Sequence, residues 1–105
     1  MTETIQQIGC VKAATEIIGD KWTPQLIRFF ANEEVVRFCQ LQDLADGINP
    51  RTLSARLDSL EHNEIIIKTQ TTSVARCEYR LTQKGKDLLP IILQMDRWSE
   101  QYGTV

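Results

Sequence analysis

Residues 38–62, FCQLQDLADGINPRTLSARLDSLEH, contain two segments with helical periodicity that are separated by a short turn. The first segment carries apolar side chains at helical spacing, at Phe38, Leu41 and Leu44. Gly47 ends this first helix, and Asn49 and Pro50 begin the second, because Asn is a favoured N-cap and Pro is tolerated at the first helical position. Two helices joined by a three-residue turn that contains Gly match a helix-turn-helix motif.

The second helix of the motif, from Pro50 to about His62, has one apolar stripe and a small, polar opposite side. The stripe consists of Leu53, Leu57 and Leu60. The opposite side consists of Arg51, Ala55, Asp58, Ser59 and His62, and one flank carries Thr52 and Arg56. In a helix-turn-helix the second helix enters the major groove of DNA, which is about 12 Å wide. A helix with a small, polar outer side fits such a groove.

The sequence after this motif predicts a β-hairpin and one long helix. Residues 65–81 contain a β-branched run and an alternating run, with residues 72–76 at the tip between them. Thr82 caps a closing helix over residues 83 to about 101. Pro90 should kink this helix or divide it into two helices.

Two helices and a very short strand are predicted before the motif. Apolar spacing predicts a helix over residues 9–18. Thr23 can cap a second helix with Pro24 at its first position, and this helix should end near Asn32. The β-branched residues 35–37 predict a short strand.

This order of elements predicts a mainly α (α+β) fold, the winged helix-turn-helix, in which helices are combined with a two- or three-stranded β wing. A chain of 105 residues, 42% of them hydrophobic, is long enough for one domain and too short for two. We therefore expect a single domain over residues 1–105. Its helix-turn-helix would occupy about residues 38–62, its wing about 65–81 and its C-terminal helix about 82–101.

A second set of residues, spread over about residues 10–98, forms a pattern known from one protein family. These are Cys10, Gly19-Asp20-Lys21-Trp22, Arg37-Phe38, Leu41, residues 48–54, Arg56-Leu57, Leu60-Glu61, Glu78-Tyr79, Leu81-Thr82, Gly85 and Trp98. In these positions the chain resembles the HxlR-type, MarR-like bacterial transcription regulators. The resemblance implies a homodimeric, operator-binding regulator that reads DNA with the helix from Pro50 and uses the hairpin as its wing.

The chain also departs from the family pattern at several positions. Val11 follows Cys10 where the family commonly has Pro, and Asp20 replaces the second Gly of the family's turn. Glu64 stands where the family usually has a Gly that ends the recognition helix. In the wing, Val74 and Ala75 stand where the family has a Pro-Pro-like pair.

Motif geometry and the resemblance together nominate residues for contact with DNA. In the motif these are Asn49, Pro50, Arg51, Thr52, Ala55, Arg56 and Ser59; in the wing, Lys68 and Arg76; and elsewhere, Lys21 and Arg37. Arginines contact guanine or phosphate, and small polar side chains adapt to base edges. The alternative interpretation is that the basic residues are ordinary solvated charges. For Lys21 and Arg37 a further alternative is that each forms an ion pair with Asp20 or Glu34.

The closing helix carries a wide apolar stripe, at Leu88, Ile91, Ile92, Met95 and Trp98. The resemblance places this helix, with part of the N-terminal helix, in the dimer contact. The indoles of Trp22 and Trp98 could instead line a ligand pocket, although large aromatic residues at helical spacing are more often core or interface. A two-fold dimer would present two recognition helices about 34–36 Å apart to a pseudo-palindromic operator.

The three cysteines are widely separated and odd in number, which does not predict a disulfide framework. Cys10 lies at a predicted helix N-terminus near Lys12, and both features favour a reactive thiolate. Some members of the family sense oxidants or electrophiles through a Cys at this position, so redox sensing is one hypothesis for Cys10 and simple packing is the other. Cys39 and Cys77 are predicted to be packing residues. A zinc site formed by the three cysteines and His62 is disfavoured by their spacing.

The charge of the chain is unevenly distributed, although the total is only −2. Residues 51–86 hold 7 basic and 4 acidic side chains, whereas residues 1–50 hold 4 and 7, and residues 87–105 hold 1 and 3. The positive segment contains the recognition helix and the wing. The acidic total therefore does not exclude DNA, and it predicts weak nonspecific binding.

The sequence favours a sequence-specific DNA-binding regulator of transcription over an enzyme, because it has one histidine, no Gly-rich phosphate loop and no close pair of metal ligands. The alternative is a winged-helix module for protein interaction that does not bind DNA. We expect cytoplasmic localisation, because no signal peptide and no apolar run of about 20 residues is visible. The expected partners are double-stranded DNA and a second copy of the chain. We expect no cofactor. The sequence does not identify an effector, and a thiol-reactive small molecule is one candidate.

Overall fold

The helix-turn-helix and the hairpin are both present in the computed structural model, which describes residues 11–70 and 72–103. The helices are α1 (Val11–Ile18), α2 (Thr23–Arg28), α3 (Phe38–Leu44), α4 (Pro50–His62) and α5 (Gln83–Tyr102). The strands are β1 (Val36–Arg37), β2 (Ile66–Thr69) and β3 (Glu78–Leu81), and short 3₁₀ turns occupy Phe29–Ala31 and Val74–Arg76. The prediction of a mainly helical fold with a small antiparallel sheet is confirmed, with three strands. Cys10 lies outside the described residues.

The turn between α3 and α4 takes its shape from Gly47 and Asn49. Gly47 has a φ of 84°, in the left-handed region that favours glycine. Asn49 caps α4, because its Oδ1 accepts hydrogen bonds from the backbone N–H groups of Arg51 at 2.8 Å and Thr52 at 3.1 Å. Helix α4 therefore begins at Pro50, as the sequence predicts.

The apolar stripe of α4 fixes this helix to the rest of the protein. Leu53, Leu57 and Leu60 are at most 2% exposed. They share one core with Leu26, Ile27, Leu41, Ile65, Ile66 and Tyr79. Because burial of a leucine side chain contributes about 1.5–3 kcal/mol, the stripe determines which side of α4 remains outside.

Leu44, which shares its helical spacing with Phe38 and Leu41, does not lie on the buried side of α3. Leu44 is 55% exposed, and the next residue, Ala45, is fully buried. At about 100° per residue, Ala45 lies within about 20° of the direction of Phe38, whereas Leu44 lies about 120° away.

The three strands form a sheet in the order β1-β3-β2 with all neighbours antiparallel. The register pairs Ile66 with Leu81 in the hairpin and Val36 with Tyr79 on the other edge. The backbone N–H of Phe38 donates to the carbonyl of Cys77 at 3.0 Å, which ties the start of α3 to the sheet. The predicted hairpin is confirmed, with β2 ending at Thr69.

The last helix, α5, begins at the predicted cap and continues through its proline. The Thr82 Oγ1 accepts a hydrogen bond from the backbone N–H of Gly85 at 3.0 Å. The helix is uninterrupted at Pro90, so the alternative of two helices is wrong. Leu88 and Ile92 are buried in the core of the protomer.

The start of α2 differs from the prediction. Thr23 is the first residue of the helix and not its cap, and Pro24 is therefore the second. Asp20 takes over the capping, because its Oδ1 accepts hydrogen bonds from the backbone N–H groups of Trp22 and Thr23, each at 2.8 Å. A carboxylate two to three residues before a helix can accept hydrogen bonds from the free backbone N–H groups at the start of that helix, as an adjacent capping side chain does.

Of the two cysteines in the described residues, only one is a packing residue. Cys77 is buried, as the sequence predicts, whereas Cys39 is exposed near the start of α3, so the packing prediction for Cys39 is wrong. Phe38 and Leu41 form the buried side of that helix, and Cys39 lies between them in sequence and faces outward.

Candidate nucleic-acid interface

The outer side of α4 is the surface that a helix-turn-helix presents to DNA. Arg51, Ala55 and Ser59 are exposed, and Thr52 and Arg56 on the flank are half-buried. Asn49 and Pro50 are exposed at the start of the helix. The structure therefore brings the seven nominated residues of the motif onto one surface.

Arg51 is the basic residue that this surface presents most openly. It lies in the first turn of α4, where the N-terminal residues of a recognition helix contact base edges. The backbone N–H of Arg51 donates to the Oδ1 of Asn49, and this hydrogen bond fixes the first turn of α4. The side chain of Arg51 extends from the exposed outer side of the helix. The acidic Asp58, Glu61 and Glu64 all lie at or beyond the last turns of the helix, away from Arg51.

Arg56 differs from Arg51 because an acidic side chain of the same chain holds its charge. Its Nη1 lies 3.7 Å from the Oδ2 of Asp20, and its Nε is buried without a hydrogen-bond partner in the part of the chain that the structure describes. Arg56 thus links α4 to the turn between α1 and α2. Sequence reasoning did not identify Asp20 as part of this site, although Asp20 is one of the positions that departs from the family pattern.

The carboxyl group of Asp20 is held in its charged form. Partial burial raises the pKa of Asp20, but hydrogen bonds from Thr23 and Trp22 and the positive charge of Arg56 together outweigh burial and lower the pKa below 3.8. Asp20 is therefore a negative charge at any pH near neutrality, adjacent to the recognition helix.

The two nominated basic residues outside the motif and wing have partners that the sequence analysis did not name. The Nζ of Lys21 lies 4.8 Å from the centre of the Trp22 ring, in a cation–π contact. The Nε of Arg37 lies 3.8 Å from an Oε2 of Glu78 across the sheet. The expected ion pairs are wrong in their partners, since Asp20 pairs with Arg56 and Glu34 pairs with Arg80.

The wing places its two nominated residues on different parts of the hairpin. Lys68 lies in β2 and is half-buried, whereas Arg76 lies in the exposed 3₁₀ turn at Val74–Arg76. The backbone N–H of Cys77 donates to the carbonyl of Val74 at 3.1 Å, which closes this turn without the family's prolines. Arg76 is thus available to solvent beside β3.

The second half of α5 exposes an apolar stripe. Ile91, Met95, Trp98 and Tyr102 are between 42% and 64% exposed, and the rings of Trp98 and Tyr102 pack with their centres 5.3 Å apart. The nominated Leu88 and Ile92 face the protomer's own core instead. Helix α1 contains no buried residue and presents Val11 to solvent. Both terminal helices of the described chain therefore have apolar surface that no described residue covers.

Two cavities lie away from α4. One of about 430 Å³ lies between the 3₁₀ turn and loop after α2, strand β3 and helix α5, and one of about 190 Å³ lies between α2 and α5. Neither Trp22 nor Trp98 lines either of these two cavities. Among residues 11–70 and 72–103, no group of three or more His, Cys, Asp or Glu side chains could hold a metal ion. No helix in the described part of the chain combines the length and apolar character that a membrane span needs.

Comparison with known proteins gives one consistent result. The model of the HxlR-like helix-turn-helix family matches residues 17–105. The uncharacterized HTH-type transcriptional regulator YdeP of Bacillus subtilis is 34% identical over 96 residues, which cover 90% of this chain and 74% of YdeP. Another such regulator of the same organism, YybR, is 33% identical over 94 residues, or 88% of this chain and 74% of YybR.

Solved structures with the same fold include two redox-responsive proteins. The redox regulator HypR in its oxidized form superposes with a TM-score of 0.79 at 31% identity, covering 90% of this chain and 98% of HypR. The quinone-bound form of YodB from B. subtilis superposes with a TM-score of 0.71 at 27% identity, covering 88% of this chain and 96% of YodB. The order of helices and strands in this chain is thus that of known transcriptional regulators.

Proposed function

Because this chain belongs to the HxlR-like helix-turn-helix family of transcriptional regulators, we propose that it binds double-stranded DNA as a homodimer on a pseudo-palindromic operator. In this proposal residues 1–105 form one winged helix-turn-helix domain that acts in the cytoplasm. The observation that carries the proposal is the outer side of α4, which is exposed, small and polar and which has Arg51 in its first turn.

Each nominated residue has a role in the proposed complex. Arg51 contacts a guanine edge or a phosphate, and Thr52, Ala55 and Ser59 contact neighbouring base edges. Asn49 and Pro50 lie at the end of α4 that approaches the groove floor. The wing residues Lys68 and Arg76, together with Arg56, Lys21 and Arg37, contact phosphates beside the groove.

The apolar stripe of α5 supports the proposed homodimer. Removal of a side chain as large as Trp98 from water lowers the free energy. A two-fold axis would bury the stripes of two protomers against each other. The exposed apolar surface of α1 would extend the same contact. A dimer is also the assembly that a pseudo-palindromic operator requires.

The first prediction concerns Arg51. Binding to the DNA upstream of the protein's own gene, measured by gel shift at several salt concentrations, should survive nonspecific competitor and weaken steeply with salt. Arg51→Ala should lose about 1–3 kcal/mol of specific binding, because a bidentate arginine–guanine contact is worth about that much. Arg97→Ala, which removes an exposed arginine from α5, is the matched control and should leave binding unchanged. Failure of the wild type to bind any promoter fragment would favour the alternative function, a protein interaction module.

The second prediction concerns a response to oxidants. HypR and YodB have structures named for redox, diamide or quinone states, and we propose that Cys10 gives this chain a similar response. Treatment with diamide or a quinone should release the wild type from DNA and leave the Cys10→Ser variant bound. Cys39→Ser is the control, because Cys39 is the exposed thiol among the described residues. An equal response of wild type and Cys10→Ser would contradict a sensing role for Cys10.

A further inference from the structure

Arg56 is unusual for a recognition-helix arginine, because part of its charge is already engaged by the protein. It lies on the flank of α4 next to the turn between α1 and α2, with its Nη1 3.7 Å from the Oδ2 of Asp20. The side chains are 37% and 32% exposed, so the pair lies at the protein surface and not in the core. The pair joins the flank of α4 to the turn between α1 and α2.

This contact leaves Arg56 incompletely satisfied. A charge-assisted hydrogen bond between nitrogen and oxygen has a length of about 2.7–2.9 Å. The Arg28–Asp96 pair of the same molecule has a hydrogen bond of 3.0 Å, whereas Arg56 and Asp20 attract each other at 3.7 Å without one. The Nε of Arg56 is also buried without a hydrogen-bond partner among the described residues, and such a donor costs free energy. A better acceptor within reach would therefore draw Arg56 away from Asp20.

Asp20, in contrast, is firmly placed. Its Oδ1 accepts hydrogen bonds from the backbone of Trp22 and Thr23, and its Oδ2 accepts one from the Thr23 hydroxyl. These three hydrogen bonds do not involve Arg56. Asp20 is thus a fixed negative charge at the start of α2, and Arg56 is the movable member of the pair.

DNA would bring a better acceptor to Arg56, if α4 binds as proposed above. A helix with its side chains is about 10–12 Å across and the major groove is about 12 Å wide, so the flanks of α4 would face the groove walls. Phosphates line those walls. Arg56 lies on a flank together with Thr52, one helical turn away, and a phosphate there could accept paired hydrogen bonds from the guanidinium.

We infer that Asp20 competes with DNA for Arg56. In the free protein Arg56 pairs with Asp20, and when α4 enters the groove Arg56 transfers to a phosphate. Breaking the Arg56–Asp20 contact on binding costs the same free energy for every DNA sequence. This cost therefore weakens the binding of the wild type to all sequences by the same factor. Asp20 thereby keeps nonspecific binding low, while base contacts such as that of Arg51 set the ratio of specific to nonspecific affinity.

The experiment compares Asp20→Asn, Arg56→Gln, the double variant and the wild type. Their affinities for a fluorescein-labelled promoter duplex and for a random duplex are measured by anisotropy over a series of salt concentrations. Asn keeps a side-chain oxygen for the N–H groups of Trp22 and Thr23, so α2 remains capped. Circular dichroism melts verify that each variant is folded. Asp43→Asn, which neutralises an exposed acid of α3, is the matched charge control.

Asp20→Asn should bind both duplexes about 2- to 5-fold more tightly, the range expected for release of a half-exposed ion pair. Arg56→Gln should reduce the slope of log affinity against log salt by about 0.9, the value for one phosphate contact. Asp20→Asn should give no gain when Arg56 is already replaced, because the gain depends on freeing that arginine.

Three results would overturn the inference while leaving DNA binding intact. They are a gain from Asp20→Asn that persists in the double variant, an equal gain from Asp43→Asn, and a salt slope that Arg56→Gln does not change. Failure of the wild type to bind either duplex would overturn the proposed function and this inference together, so the two failures are distinguishable.

Discussion

At the scale of single residues, Glu64 has a conformation that suits another amino acid. Among the described residues it is the one non-glycine residue with a positive φ, of 61°. The backbone N–H of Glu64 donates to the carbonyl of Glu61, and that of Ile65 donates to the carbonyl of Leu60. These two bonds form the Schellman motif that ends many helices, in which the residue at the position of Glu64 is usually glycine. The family likewise usually has Gly there.

The third prediction is that Glu64→Gly stabilises the protein. A side chain in the left-handed region costs about 1–2 kcal/mol, and part of this is offset because glycine loses more entropy on folding. We expect a net gain of about 0.5–1 kcal/mol, measured as a higher urea midpoint with an unchanged slope. Glu64→Ala removes the carboxylate but keeps Cβ, and should give no gain. Equal stabilisation by Ala would instead assign the effect to the charge.

At the scale of elements, the end of α4 and the start of α5 are joined at one point of the backbone. The carbonyl of Ile65 accepts a hydrogen bond from the backbone N–H of Thr82 at 3.0 Å. The Thr82 hydroxyl donates to the carbonyl of Glu64 at 2.6 Å and lies 3.2 Å from that of Ile65. Gly85 lies so close that a Cβ there would be 2.2 Å from the same oxygen. The orientation of α5 relative to the sheet therefore depends on a glycine in its first turn.

The fourth prediction is that Gly85→Ala destabilises the protein by about 1–3 kcal/mol, the usual cost of overpacking. Alanine favours helix over glycine, so propensity alone would predict the opposite sign. Chemical denaturation of the wild type and the variant measures the difference. Lys86→Ala, an exposed neighbour in the same turn, should change stability by less than about 0.5 kcal/mol. A stabilised Gly85→Ala variant would show that α5 can shift away from Ile65 without cost.

At the scale of the whole molecule, α5 extends past the core that it helps to form. After Ile92 none of its residues is buried, yet Met95, Trp98 and Tyr102 are large and apolar. An exposed apolar stripe of this kind marks an interaction surface. In the proposed dimer it would couple the positions of two recognition helices.

The fifth prediction is that Trp98→Glu separates the dimer into monomers. A charge in the stripe would have to be removed from water for two protomers to associate, which is unfavourable without a partner. Sedimentation velocity should show a dimer for the wild type and a monomer for the variant, and DNA binding should weaken because one half-site contact is lost. Arg97→Glu introduces the same side chain beside the stripe and should remain dimeric. A dimeric Trp98→Glu variant would contradict the proposed interface.

The sequence by itself determines the order of elements and the side of α4 that faces out. Asn49, Pro50 and the leucine stripe are local signals, because capping depends on adjacent backbone groups and burial on the period of the same helix. The class of fold and helix α4 are therefore predictable from residues 38–62, and the hairpin from its β-branched residues. Helical spacing alone does not settle the burial of Leu44, since the last turn of a short helix depends on what packs against it.

Only the tertiary structure decides which charged side chains form ion pairs and which apolar side chains are buried. The helical period places both Arg51 and Arg56 outside the leucine stripe and gives neither a partner. The fold brings Asp20, 36 positions before Arg56, to within 3.7 Å of Arg56 and leaves Arg51 exposed. Leu88 and Trp98 belong to one helical stripe, but the core ends between them. Ion pairs and burial join residues that are distant in the chain, so periodicity along one helix cannot specify them.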